Sequence, residues 1–256
     1  MATSALADVG QELRRGRVAG SLAIVGLLAT LASAPISQSG SPDFGGIKDD
    51  DFRFLMTVGL NEGGQIAGIV TNTVAYLLLI PALLQLYSMT RQRNPQTLRW
   101  LPWVGLAGIV FICVALPLGY LEVHGTAHTF VDGPRTVKRA QELREGLNTL
   151  PTDIARILGS LLFGFWIGAT SAEAQRVGLL TRFLGMFGFG AGLLTAAGFT
   201  GIVIGLPLFV GWMGSIAIQM LGYWPGGRPP AWDEGRAVSW EEYDSRDAGR
   251  LDRSAR

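Results

Sequence analysis

His124 and His128 stand four residues apart, with Glu122 two positions upstream. On a helix that spacing puts both imidazoles on one face, an arrangement that can hold a metal ion. Gly125 and Thr126 lie between them just past an apolar run, which argues against helix there. No third ligand is evident, and the glutamate that a zinc-protease motif carries between its histidines is missing. The pair is therefore a weak metal candidate. Glu122 and Arg156 fall near the ends of two apolar runs joined by one loop. An ionisable residue at such a position snorkels to the interface or pairs, so an ion pair tying the two helices is expected, against two separately solvated charges. Asn72, Thr73 and Gln85, with Thr71, give one apolar run its polarity, as Ser215 and Gln219 do for the last. They suit the lining of a solute path near Pro81, and they suit hydrogen bonds between helices equally well. No acidic residue lies centrally in any apolar run, which weakens proton or cation coupling. The lone cysteine, Cys113, is inside such a run, so it forms no intrachain disulfide and reads as an inert packing thiol. No nucleophile–base pair or nucleotide loop appears, and no catalytic residue or cofactor is indicated.

The elements that must carry these residues are apolar and long. Of 256 residues 48% are hydrophobic and only 16% charged, where a soluble domain carries about 25% charged residues. The charges gather in short stretches between runs of the length a bilayer demands, ~20 residues for a hydrocarbon core of roughly 30 Å. The pattern predicts an all-α polytopic membrane helix bundle of six transmembrane helices, at about 18–36, 65–89, 101–123, 154–172, 180–198 and 201–221. Residues 183–221 form one apolar stretch, too long for a single crossing, with a turn expected at Gly198–Gly201 or at Gly205-Leu206-Pro207. The first run imitates a signal peptide through its basic flank and Ala32-Ser33-Ala34, but Pro35 would obstruct cleavage, so a retained span is expected.

Two short amphipathic extracytoplasmic helices complete the fold. Phe52, Leu55, Met56 and Leu60 recur at helical spacing after an acidic start, and Val137, Ala140, Leu143 and Leu147 do so within Pro134–Leu150. Residues 1–222 are read as one membrane domain, followed by a tail over 223–256 whose distal part is expected to be disordered. Arg14, Arg15 and Arg17, the loop with Arg91, Arg93 and Arg99, and the loop with Arg176 and Arg182 place both termini in the cytoplasm, with the loop bearing Asp43, Asp49, Asp50 and Asp51 outside. Against this, the long outer loop carries Arg135, Lys138, Arg139 and Arg144. The expected location is the cell membrane.

Two motifs on the inner face stand apart. One is Glu173-Ala174-Gln175-Arg176-Val177-Gly178-Leu179-Leu180-Thr181-Arg182-Phe183-Leu184-Gly185; the other is Gly222-Tyr223-Trp224-Pro225-Gly226-Gly227-Arg228-Pro229-Pro230-Ala231-Trp232, followed by Gly235-Arg236-Ala237-Val238. They resemble stretches in a family of uncharacterised actinobacterial multi-pass membrane proteins, over about residues 165–240, with Trp240-Glu241 departing from the Trp-Pro that often follows in that family. The resemblance implies a membrane protein without an assigned activity and carries over no functional residues. Physically, Arg176, Arg182 and Arg228 suit anionic lipid headgroups, while Trp224 anchors the last span. Trp232 and Trp240 are expected to fold the tail over the inner loops, as a cap on the bundle or a docking face for a protein partner.

Small residues recur four apart at Gly64/Gly68, Gly164/Gly168, Gly188/Gly192 and Gly201/Gly205, which suits close packing within one bundle or a homodimer face. A formal net charge of +1 gives no support for nucleic-acid binding. The lipid bilayer is the expected partner, with anionic headgroups and a protein partner or second copy as further candidates. The favoured expectation is a non-enzymatic interaction or envelope-organising protein, with a small-solute transporter as the alternative and a membrane-embedded enzyme behind both.

Overall fold

The computed structural model describes residues 2–41, 46–198, 205–225, 227–239 and 242. Within them the chain is all-α: α1 (Ala2–Gln38), α2 (Asp50–Leu60), α3 (Glu62–Arg93), α4 (Leu101–Asp132), α5 (Val137–Glu145), α6 (Leu150–Arg176), α7 (Arg182–Ala196), α8 (Gly205–Leu221) and α9 (Pro230–Glu234). Four of these, α1, α3, α4 and α6, are long and apolar enough to cross a membrane, while α7 and α8 are shorter apolar helices. Large apolar side chains such as Leu28, Val70, Val110, Leu161 and Met186 stand exposed along these helices. Such a surface is unfavourable in water and natural against lipid tails.

The helices continue past the expected spans at several ends. One such extension is in α4, which runs to Asp132, so Gly125 and Thr126 are helical and the expected break there is not found. A mid-helix glycine costs only about 1 kcal/mol. Burial of Val123, Ala127, Phe130 and Val131 on the same stretch outweighs it. Gly205, Leu206 and Pro207 open α8 and do not form a turn. The alternative turn at Gly198–Gly201, the state of the distal tail and the placement of Trp240 lie outside the described residues.

The chain divides into two compact units. The first comprises Met1–Val25, Leu78–Gly108 and Ser160–Arg256; the second comprises Gly26–Leu77 and Ile109–Gly159. In the first, glycines admit aromatic rings and backbones. A Cβ on Gly105 would collide with the Trp166 ring, and one on Gly192 with the backbone of Gly164 and Gly168. Gly188 lies against the indole of Trp212, and Trp166 and Trp212 are completely buried.

In the second unit Asp49 caps α2 by accepting from the Phe52 N–H, and Thr136 caps α5 by accepting from Arg139 N–H. Phe52, Leu55, Met56 and Val58 of α2 pack with Val123, Ala127, Phe130 and Val131 of α4 and with Ala140 of α5. Phe52 meets Phe130 edge-on at 5.4 Å between ring centroids. Leu60, expected on the apolar face of α2, is exposed instead. The backbone of Ser37 takes amide donors from Asn61 and Gln65, each at 3.0 Å, while Gly68 lies against Ser33 and Ser37. Gly68, Gly164, Gly188 and Gly192 are thus covered by the chain's own residues, as expected of packing within the bundle.

Candidate functional site

A highly connected polar group in the first unit is Arg93, at the end of α3. Its side chain is wholly buried and makes five hydrogen bonds. Nη1 donates to Glu12 Oε1 at 2.9 Å and to the Met89 carbonyl at 3.0 Å. Nη2 donates to Glu12 Oε2 at 3.3 Å and to the Ala231 carbonyl at 2.8 Å, and Nε reaches that same carbonyl at 3.0 Å. The planar fork suits this task, because a guanidinium offers five fixed donors. The Glu12 backbone carbonyl also accepts from the Gln85 amide at 3.3 Å. One buried ion pair therefore joins α1, α3 and the tail.

The tail is held at three further points. Trp232 is buried and its indole N–H donates to the Leu179 carbonyl at 2.7 Å. The Val238 N–H donates to the Val177 carbonyl at 3.2 Å. Between those two carbonyls Gly178 has φ +75°, and a Cβ there would strike the Val238 carbonyl, so both its conformation and the tail's approach require glycine. Arg228 closes the end of α8, donating from Nε to the Gln219 carbonyl at 2.7 Å and from Nη2 to the Met220 carbonyl at 2.6 Å. These are carbonyls that a helix end leaves without partners, at the negative end of its dipole. Burial lowers the pKa of the Arg228 guanidinium; Asp233 opposes that shift and Arg17 adds to it. The two motifs singled out from sequence thus meet in space through Val177, Leu179, Trp232 and Val238.

The other sequence-derived candidates are more dispersed. Arg176 pairs with Glu173 at 2.6 Å, and Glu173 also accepts from Asn94 at 3.0 Å. Arg182 is exposed at the first turn of α7, and Trp224 is half-buried after α8. His124 and His128 do share a face of α4, their rings 4.5 Å apart, but among the described residues no group of three His, Cys, Asp or Glu comes together as a metal site. Asn72 and Thr73 belong to the second unit and Gln85 to the first. Asn72 Oδ1 is buried without a hydrogen-bond partner, while Gln85 lines a surface cleft with Glu12 and Ser88.

The ion pair expected between Glu122 and Arg156 gives way to separate partners. Arg156 reaches Asp153, three residues earlier on its own helix, at 2.6 Å. Glu122 Oε1 accepts the Thr152 N–H at 3.3 Å, one of the unpaired donors of the first turn of α6. Nearby partners that fix fewer side chains displace the cross-helix pair.

Glu12 was not singled out from the sequence, and Arg93 was counted only as one charge of a basic loop. The available signal was Glu12 standing just before the basic Arg14, Arg15 and Arg17. The family described as "Domain of unknown function (DUF4386)" matches residues 18–223. No curated protein and no solved structure matches the chain.

Proposed function

The chain belongs to the DUF4386 family and is a multi-pass membrane protein of unknown activity with several apolar helices; on that premise we propose that it is a non-enzymatic interaction protein that presents its seated C-terminal tail to a partner protein at the membrane face. The observation that carries this reading is the Arg93–Glu12 pair closed on the Ala231 carbonyl. A buried charge pair is weak evidence for stability, since two apolar residues often do as well, but it fixes one arrangement of the parts it joins. Here it fixes the tail, framed by Arg176, Arg182, Trp224, Arg228 and Trp232.

The finer topology in this reading has six crossings, with α7 and α8 as the fifth and sixth, α2 and α5 outside the cell membrane, and both termini in the cytoplasm. Arginines at the inner ends of the apolar runs, near residues 17, 91–99 and 176–182, support it through the bias of cytoplasmic loops toward positive charge. The helices α7 and α8, of 15 and 17 residues, are short for the task, which the bilayer accommodates by local thinning. Residues 1–222 form the membrane domain and the tail from 223 is its cap.

Mild solubilisation of the tagged chain tests the reading. A stoichiometric partner retained by the wild type and lost with Arg93→Ala is the expected result; recovery indifferent to that substitution contradicts it. The unpartnered Asn72 Oδ1 favours a second reading, a small-solute transporter with Asn72 and Thr73 on its path. Asn72→Cys in a Cys113→Ala background separates the two. Modification of that cysteine by a membrane-impermeant thiol reagent supports transport, and protection supports the interaction protein.

A further inference from the structure

A surface cleft of about 600 Å³ in the first unit is lined by Arg17, Ser21, Gly222, Tyr223, Arg228 and Asp233, among others. Two guanidiniums face one carboxylate, leaving the wall net positive. Arg17 has no ion pair or hydrogen bond among the described residues, and neither does the Ser21 hydroxyl. Arg228 uses Nε and Nη2 on the end of α8, which leaves Nη1 for a ligand. Hydroxyls of Ser21 and Tyr223 add donors to the same wall.

The position of the cleft narrows the ligand. Arg17 directly precedes the apolar run of α1, and Gly222 directly follows α8, so the cleft lies where apolar helix surface gives way to polar chain. Arg17, Ser21 and Val25 are four apart on one face of α1, a face that passes from charge to hydroxyl to exposed hydrocarbon. Val25 is 52% exposed and Val18 60% exposed, and Tyr223, which lines the cleft, is 79% exposed. Guanidinium forks match phosphate oxygens, and a phosphate with hydrocarbon attached fits a face graded this way.

We propose that this cleft binds the phosphate of an anionic glycerophospholipid, held by Arg17, Ser21 and Arg228, with the acyl chains against the apolar face of α1. The inference rests on the tail being seated, because Arg228 enters the cleft from the tail. Arg93→Ala unseats the tail and reports on that premise, whereas Arg17→Gln leaves it seated and reports on the cleft.

Full-length protein in phosphatidylcholine nanodiscs, with or without phosphatidylglycerol, provides the test, read by thermal melting and by lipid retained in native mass spectrometry. Phosphatidylglycerol raises the melting temperature of the wild type, and Arg17→Gln weakens its retention about fivefold, the worth of one arginine near a membrane surface. Arg17→Lys keeps part of the effect, since the charge stays and the fork is lost. Equal phosphatidylglycerol retention by wild type and Arg17→Gln overturns the assignment. A rise of the same size from inorganic phosphate alone, in phosphatidylcholine discs, overturns the lipid as source and leaves a free-phosphate site.

Discussion

Arg93 and Arg144 each reach a carboxylate on another helix, and the two contacts behave as opposites. Arg93, in the first unit, is fully buried, bidentate on Glu12 and bonded to two carbonyls besides. Arg144, in the second, approaches Asp51 at 3.6 Å with both side chains 39% exposed, and it also lies 4.2 Å over the Phe54 ring. The second unit is held by its apolar cluster, with charge as decoration. In the first, charge is built into the interior and carries the position of the tail.

That contrast predicts a graded set of outcomes. Arg93→Ala strands the Glu12 carboxylate and the Ala231 carbonyl in a buried setting, and a loss of about 3–5 kcal/mol is expected. Thermal melting in detergent and protease sensitivity of the tail should report it together; Glu12→Gln, which keeps an acceptor, should do less. In the second unit Leu55→Ala, at a completely buried site, should cost about 2–5 kcal/mol without exposing the tail to protease. Tail release by Leu55→Ala would erase the distinction between the units. The smallest effect belongs to Arg144 and Asp51. A double-mutant cycle of Arg144→Ala and Asp51→Asn should give a coupling of about 0–1 kcal/mol, falling with added salt. A coupling comparable to that of Arg93 would show that exposure is not what separates the two pairs.

Much of the apolar architecture was legible because it is local. Phe52, Leu55 and Met56 announce the buried face of α2 by spacing alone, and Asp49 announces its start. Long apolar runs announce the spanning helices, since a bilayer demands length and composition together. Trp232 stood out by its type among prolines, while its hydrogen bond to the Leu179 carbonyl is read from the structure. What sequence did not reveal is non-local. Glu12 and Arg93 are 81 residues apart, and no period links them. Arg93 looked like its neighbours Arg91 and Arg99, and only burial distinguishes it. The opposite error came from Glu122 and Arg156, whose placement at neighbouring helix ends suggested a bridge. Asp153 on the same helix and the free N–H of Thr152 were closer partners. Gly125 suggested a break at the histidines, where burial of the flanking apolar residues keeps α4 helical.

Hydrogen exchange on the purified full-length chain, followed over residues 228–239 in wild type and Arg93→Ala, tests the seated tail most directly. The backbone amide of Val238, bonded to the Val177 carbonyl, should be protected in the wild type and should exchange freely once Arg93 is removed. Exchange at the unprotected rate in the wild type, or protection that survives the loss of Arg93, would contradict the claim that the buried arginine holds the tail in place.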